Sequence, residues 1–262
     1  MQKLFVIKIG GNVIDDPVAL ESFMYDFALI NEKKILVHGG GKIASSIAEK
    51  MGIPSRHING RRITDEDTID IVTMVYGGLV NKKIVSALQR NNCNAIGLTG
   101  ADANIIKGTK RPLKEIDYGF VGDIESAGVS VSTINLLLEN NLVPVVAPLT
   151  HNGEGQMLNT NADTIASVLS VALSKDYEVR LLYCFEKKGV LLDVNDEGSA
   201  IQFLDKQAYK EMGELKLLFE GILPKIDNAF AAIEAGVKEV LIGHANDLLA
   251  NTGKDIVGTL MK

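Results

Sequence analysis

The chain has 262 residues, room for one large domain or two small ones, and a core of that size needs no disulfide or metal staple. Its 27 Lys+Arg against 33 Asp+Glu leave a net charge of −6, which argues against a nucleic-acid partner. Hydrophobic residues at 46% and charged residues at 23% exclude disorder, and absent Trp with 5% aromatics argues against base-stacking platforms.

No run approaches the roughly 18 apolar residues of a membrane span. The N-terminal stretch, broken by Lys3 and Lys8, lacks the features of a signal peptide. A cytoplasmic protein with no membrane partner is expected, with Cys93 and Cys184 reduced. The four scattered histidines (His38, His57, His151, His244) argue against a zinc site, so no protein-held metal is expected.

In chain order, residues 4–9 form an apolar run with one lysine, closed by Gly10-Gly11, and predict a buried strand. Asp15, Asp16 and Pro17 start a helix whose apolar positions Leu20, Phe23, Met24 and Phe27 recur at helical spacing. Residues 35–37 predict a strand closed by His38-Gly39-Gly40-Gly41, and residues 42–51 a helix stopped by Gly52. A long helix is predicted over residues 65–90. Its buried side would carry Ile69, Val72, Met74 or Val75, Leu79, Val80, Ile84 and Leu88, with a kink or close contact at Gly77-Gly78.

Residues 95–98 predict a strand, and residues 105–122, punctuated by Gly108, Pro112 and Gly119, a hairpin excursion. There follow a helix at 132–140, a strand at 142–148, a Gly-rich hairpin at 151–158, a helix at 161–174 and a strand at 178–185. Helices at 205–212 and 224–235, a strand at 240–243 and an edge strand at 258–261 complete the chain. The alternation implies βαβ crossovers: an α/β fold with a mainly parallel sheet covered on both faces. A soft boundary near residues 148–155 would divide one continuous sheet into two lobes.

Two strand-to-turn junctions carry consecutive glycines. Such loops let backbone N–H groups approach an anion, and the helix after Gly41 points its positive end the same way; tight turns are the alternative. Gly39-x-Gly41-x-x-Ala44 satisfies a loose dinucleotide fingerprint. The acidic residue that should follow is replaced by Asn59-Gly60-Arg61-Arg62, which weighs against an NAD(P) oxidoreductase. Gly41-Lys42-Ile43 lacks the hydroxyl of a Walker A loop.

Lys8, in an apolar strand directly before two glycines, suits a phosphate contact; a lysine snorkelling to solvent is the alternative. Lys225, in a first helical turn after Pro224, opposes the helix dipole and calls for an anion, or else is solvated. Asn159-Thr160-Asn161-Ala162-Asp163 holds more amide and acid groups than one helix cap needs. Arg61-Arg62 suits a carboxylate or a plain surface pair.

Taken in order and spacing, these segments resemble the amino acid kinase family. They are Lys8-Ile9-Gly10-Gly11, His38-Gly39-Gly40-Gly41, Asn59-Gly60-Arg61-Arg62-Ile63-Thr64, the run from Gly155 to Asp163, and Gly221-Ile222-Leu223-Pro224-Lys225. The resemblance implies an αβα sandwich around a mainly parallel sheet of about eight strands. Residues 1–150 would bind an N-acylated glutamate and dimerise, and residues 151–262 would bind ATP with Mg²⁺ carried by the nucleotide. The implied reaction phosphorylates the γ-carboxylate of N-acetyl-L-glutamate, or of N-succinyl-L-glutamate, in arginine biosynthesis. Residues 99–110 are the candidates for telling the two acyl groups apart.

The resemblance further implies that Lys8 and Lys225 stabilise the transferring phosphoryl group and that Asp163 orients both lysines. Gly10, Gly11, Gly40 and Gly41 would offer N–H groups to phosphoryl and carboxylate; Arg62 and Asn159 would hold the α-carboxylate, with Asn161 nearby. Where the family has Thr/Ser-Asp-x-x-Gly against the nucleotide, this chain has Phe185-Glu186-Lys187-Lys188-Gly189. Because the chain opens directly on its first strand, an arginine-insensitive homodimer is expected by analogy. A non-catalytic nucleotide-binding module is the remaining alternative, and retention of Lys8, Lys225 and Asp163 weighs against it.

Overall fold

A computed structural model describes residues 1–58, 60–215 and 222–262; Asn59 and Gly221 of the segments above lie outside them. One eight-stranded sheet organises the chain. Its strands, in chain order, are β1 (Gln2–Ile9), β2 (Lys33–Val37), β3 (Ala95–Leu98), β4 (Val143–Val146), β5 (Tyr177–Phe185), β6 (Phe203–Leu204), β7 (Glu239–His244) and β8 (Thr259–Met261). In space they run β6-β8-β7-β5-β1-β2-β4-β3. All pairings are parallel except that between β7 and β8. The four strands drawn from residues 1–150 are contiguous, as are the four from 151–262, and the two sets meet where β1 pairs with β5.

Period-2 alternation in β1 sorts two cores. Leu4 and Val6 pack with the helices Val131–Glu139, Ala162–Leu173 and Leu223–Glu234 through Ile134, Leu169 and Phe230. Phe5, Ile7 and Ile9 pack on the opposite face with Pro17–Leu29, Gly41–Lys50 and the long helical run Glu66–Arg90, through Phe27, Ala48 and Ile84. The result is an αβα sandwich.

The long run contains a π-helical stretch at Thr73–Val80, spanning Gly77-Gly78. Gly77 is also a close contact: a Cβ there would lie 3.2 Å from the Thr99 methyl. The wider turn shifts the helix register. Val75 and Val80 therefore face the core, which selects Val75 over Met74 (52% exposed), whereas Leu79, expected on the buried side, is 37% exposed. By length and composition Glu66–Arg90 is apolar enough to cross a membrane; its Ile69, Val72, Ile84 and Leu88 are buried in the core. Strand β8 lies one place in from the edge, because the two-residue β6, too short to read from periodicity, pairs outside it.

Helix Pro17–Leu29 begins with Asp16, which accepts from the Val18 and Ala19 amides at 2.9 and 3.2 Å. It ends on Lys34, whose buried ammonium donates to the Phe27, Ala28 and Ile30 carbonyls at 2.8, 3.1 and 2.6 Å. Of these carbonyls Phe27 also accepts from the Ile30 amide at 3.3 Å, and together they carry the negative end of the dipole. Replacing Lys34 with Met should remove their charged donor and lower unfolding free energy by about 1–3 kcal/mol, read as the shift in urea midpoint; an unchanged midpoint would contradict this cap.

Candidate functional site

At one edge of the sheet, β1 ends at Lys8-Ile9-Gly10, β2 at His38 and β5 at Phe185, while the helix Ala162–Leu173 begins. From β1 the chain continues toward β2, and from β5 toward the opposite side, so the β1/β5 junction is a topological switch point, where α/β folds gather ligands.

Alternation places Lys8 on the face of Leu4 and Val6, beneath the Ala162–Leu173 helix. Its Nζ is 2.9 Å from Asp163 Oδ1, an ion pair whose side chains are 17% and 26% exposed. Asp163 occupies the first turn of that helix, where the dipole favours a carboxylate. Tyr183, beside Lys8 in register, donates its hydroxyl to the Asp163 carbonyl at 3.4 Å. Lys225 lies elsewhere: its Nζ is 4.4 Å from the centroid of the Phe185 ring. The side chain paired with Asp163 is thus Lys8, and Lys225 rests on an aromatic face.

The glycine loops differ from expectation in one respect. The Gly10 N–H donates to the Cys184 carbonyl at 2.7 Å and is not on offer to a ligand. What Gly10 provides is space, because a Cβ would lie 3.2 Å from Phe185 Cβ. Gly11 and Gly41 open helices, where first-turn N–H groups have no intrahelical acceptor. Gly40 has φ +146°, a region that favours glycine, and a Cβ there would lie 3.2 Å from the Tyr76 ring.

A cavity of about 280 Å³ adjoins the second of these loops, with Gly40, Gly41, Arg62, Tyr76, Asn159 and Asn161 among its lining. The hairpin His57–Ile58/Arg61–Arg62 decides between the two arginines: alternation exposes Arg61 and turns Arg62 inward to 8% exposure. Arg62 donates to Gly41 O and Ser45 Oγ, both at 2.8 Å, and to the Ser55 hydroxyl. A guanidinium has five donors, more than these three bonds consume. Among the described residues no carboxylate pairs with it. Tyr76 lies beside it, its phenol pushed up by burial against the opposing pull of Arg62.

Asn159 donates through Nδ2 to the buried Thr64 hydroxyl at 3.0 Å, which fixes its amide at the cavity wall. Asn161 caps the Ala162–Leu173 helix, accepting from the Thr164 amide at 3.1 Å. In the turn after β5, Glu186 and Lys188 are exposed and the Lys187 ammonium donates to the Val194 carbonyl at 3.4 Å. Gly189 is buried where a Cβ would collide with the Thr259 hydroxyl, so packing alone accounts for that glycine.

Several contributors were not singled out from sequence. Ser45 and Ser55 act through contacts that no local pattern marks, and Thr64, the last residue of the Arg61-Arg62 segment, acts through its bond from Asn159. Tyr76 adjoins Gly77-Gly78, the one sequence signal of the π turn that brings it to Gly40. From the hairpin excursion it is Arg111, Val121, Gly122 and Asp123 that line the cavity, not residues 99–110. Arg111 is held by Asp123 through Nε at 3.0 Å and Nη2 at 2.5 Å.

His38 braces the second glycine loop. The Asn81 oxygen accepts from Lys82 at 3.0 Å, so its nitrogen faces His38 and donates to Nε2 at 3.1 Å. Nδ1–H is then the donor to Gly39 O at 2.7 Å. Burial pulls the imidazole down to about 4, which keeps it neutral.

The model of the amino acid kinase family matches residues 3–244. An acetylglutamate kinase of Cytophaga hutchinsonii is 55% identical over 259 residues, covering 98% of this chain and 97% of that protein. One of Bacteroides thetaiotaomicron is 51% identical over 261 residues, covering 100% and 99%. Among solved structures, smu.665 from Streptococcus mutans superposes with a TM-score of 0.76 at 29% identity, covering 99% of this chain and 98% of that one.

Because His38 is depressed from 6.5 to about 4, the unfolded chain takes up a proton in that window that the native state refuses. Stability should therefore fall with pH between about 6.5 and 4, by roughly 2 kcal/mol from this group between pH 7 and 5. Urea midpoints at the two pH values should show a shallower dependence in His38→Gln; equal slopes would contradict a buried neutral imidazole.

Proposed function

The chain belongs to the amino acid kinase family, and from that premise we propose that it transfers the γ-phosphoryl group of ATP to the γ-carboxylate of N-acetyl-L-glutamate, a step of arginine biosynthesis. The reaction product is N-acetyl-L-glutamyl 5-phosphate. The observation that carries the acceptor is Arg62: a guanidinium buried in the cavity wall, held by neutral partners, calls for an anion. The substrate α-carboxylate answers that need, with Asn159 alongside.

The physics of transfer is simple. A γ-carboxylate has a reference pKa of about 4.3 and is ionised at neutral pH, so no general base is required. One of its oxygens forms a bond to the γ-phosphorus while the bond from phosphorus to the β,γ-bridging oxygen breaks, releasing ADP; no proton moves. The obstacle is bringing an anion to a polyanion, which positioning and positive electrostatics overcome. In this reading Lys8 and Lys225 face the transferring phosphoryl group. Asp163 fixes Lys8. The amides of Gly11, Gly40 and Gly41 bind phosphoryl and carboxylate oxygens, and Gly10 gives room for the close approach of Phe185.

Glu186, Lys187, Lys188 and Gly189 border the nucleotide, and Asn161 aligns the helix that carries Asp163. Residues 1–150 form the acylglutamate lobe and 151–262 the ATP lobe, which fits the strand grouping about the β1/β5 junction. Mg²⁺ carried by the nucleotide would neutralise phosphate charge. A cytoplasmic homodimer completes the proposal, paired through the outward apolar residues Met74 and Leu79 of the long helix.

N-succinyl-L-glutamate is the second reading of the acceptor. Arg111 favours it, bringing a further guanidinium to the same cavity. Trapping the acyl phosphate with hydroxylamine, in a panel of N-acetyl-, N-succinyl- and free glutamate with ATP, decides between them; turnover of free glutamate alone would overturn both. Lys8→Ala should lower kcat about 10²–10³-fold, whereas Arg62→Lys should act mainly on acceptor KM, raising it roughly 10–100-fold. Light scattering should return twice the chain mass, and Met74→Glu should shift it toward the monomer; a wild-type monomer would exclude the dimer.

A further inference from the structure

Lys225 occupies a position that is unfavourable for a cation. It follows Pro224 in the first turn of the Leu223–Glu234 helix, where the dipole repels positive charge. Asp163 is committed to Lys8. Among the described residues no carboxylate lies within ion-pair distance of Lys225. Beneath it lies the face of Phe185, 4.4 Å from Nζ to ring centroid. Phe185 is the residue at which the turn after β5 departs from the family's polar pattern.

We propose that Phe185 is a positioning residue for the phosphoryl transfer: its ring face holds the Lys225 ammonium at the end of β5, beside the Gly10-Gly11 loop. This rests on the reading of Lys225 as a group that contacts the transferring phosphoryl. Two features of the structure support it. First, the ring is itself fixed. Phe185 packs against the core on the face that also buries Ile226 and Phe230 of the Lys225 helix. Its backbone abuts Gly10, where a Cβ would lie 3.2 Å from Phe185 Cβ and 3.3 Å from its Cα. The Gly10 amide, bonded to the Cys184 carbonyl at 2.7 Å, ties the glycine loop to the strand that delivers the ring. Phosphate loop, ring and lysine therefore share one rigid frame.

Second, a ring suits the task better than an acid. The negative face of an aromatic quadrupole attracts an ammonium without cancelling its charge. A carboxylate in the same place would quench much of the field that an incoming polyanion needs. Lys8 shows the contrasting arrangement, oriented by Asp163. The two lysines are thus held by different means, and Lys225 is the one that keeps its full unit of charge for phosphate.

Site-specific replacement of Phe185 by 4-fluoro-, 3,5-difluoro- and 3,4,5-trifluorophenylalanine weakens the quadrupole in steps while nearly preserving shape. The expected result is a graded fall in kcat, roughly threefold to tenfold across the series, with KM for N-acetylglutamate and the thermal midpoint unchanged. Phe185→Leu should match the trifluoro variant, and Phe185→Tyr should stay near wild type. A flat series in which Lys225→Ala is crippled would overturn this role for the ring and leave the reading of Lys225 intact. Near-normal turnover of Lys225→Ala would overturn the reading itself, and the inference with it.

Discussion

Lys8 sits where the alternation of β1 points toward the interior, under the start of a helix, and a charge in that place requires an acid. Asp163 supplies it from the first turn of Ala162–Leu173 at 2.9 Å. That single ion pair joins the first strand to the helix preceding β5, across the junction of the two strand sets. The glycine loop after β2, the Arg62 hairpin and the Asn159 hairpin surround the cavity, and Lys8 and the loop after β1 stand at the end of the neighbouring strand. Truncating either partner would leave the other partly buried and unpaired, at a cost in local order as well as function.

The acidic composition and the anionic chemistry are compatible because they act on different scales. A net charge of −6 disfavours extended polyanions as partners. Arg62 lines the cavity at 8% exposure, the Lys8 side chain is 17% exposed at the end of β1, and Lys225 is half-buried over Phe185; in surroundings drier than the surface each charge counts for more. Only Lys8 of these three has a carboxylate as its described partner. Arg62 is held by hydroxyls and a carbonyl, and Lys225 by a ring face. Local positive charge therefore stands within an acidic total.

The sheet was legible because its strands are apolar runs bounded by glycine and proline, and the helices because their buried positions recur at helical spacing. Misreadings fell where local pattern carries no information. The two residues of β6 are too few for a period, and the π turn changed the register that placed Leu79. Within the site, Lys8 was visible as a charge in an apolar strand, and Arg62 only as half of a pair until the hairpin separated it from Arg61. The Gly10 amide, bonded across the sheet to Cys184, and the ring beneath Lys225 are tertiary facts. No spacing along the chain announces either.

In the proposed reaction, transfer proceeds by positive electrostatics onto an acceptor already ionised, with no protein base. The direct measurement is kcat against pH, under saturating MgATP and N-acetylglutamate. A plateau is expected between about pH 6 and 8.5, because the γ-carboxylate, with a reference pKa near 4.3, is fully ionised throughout. A limb rising with pH through the histidine range, and abolished by replacing one titratable side chain, would contradict it.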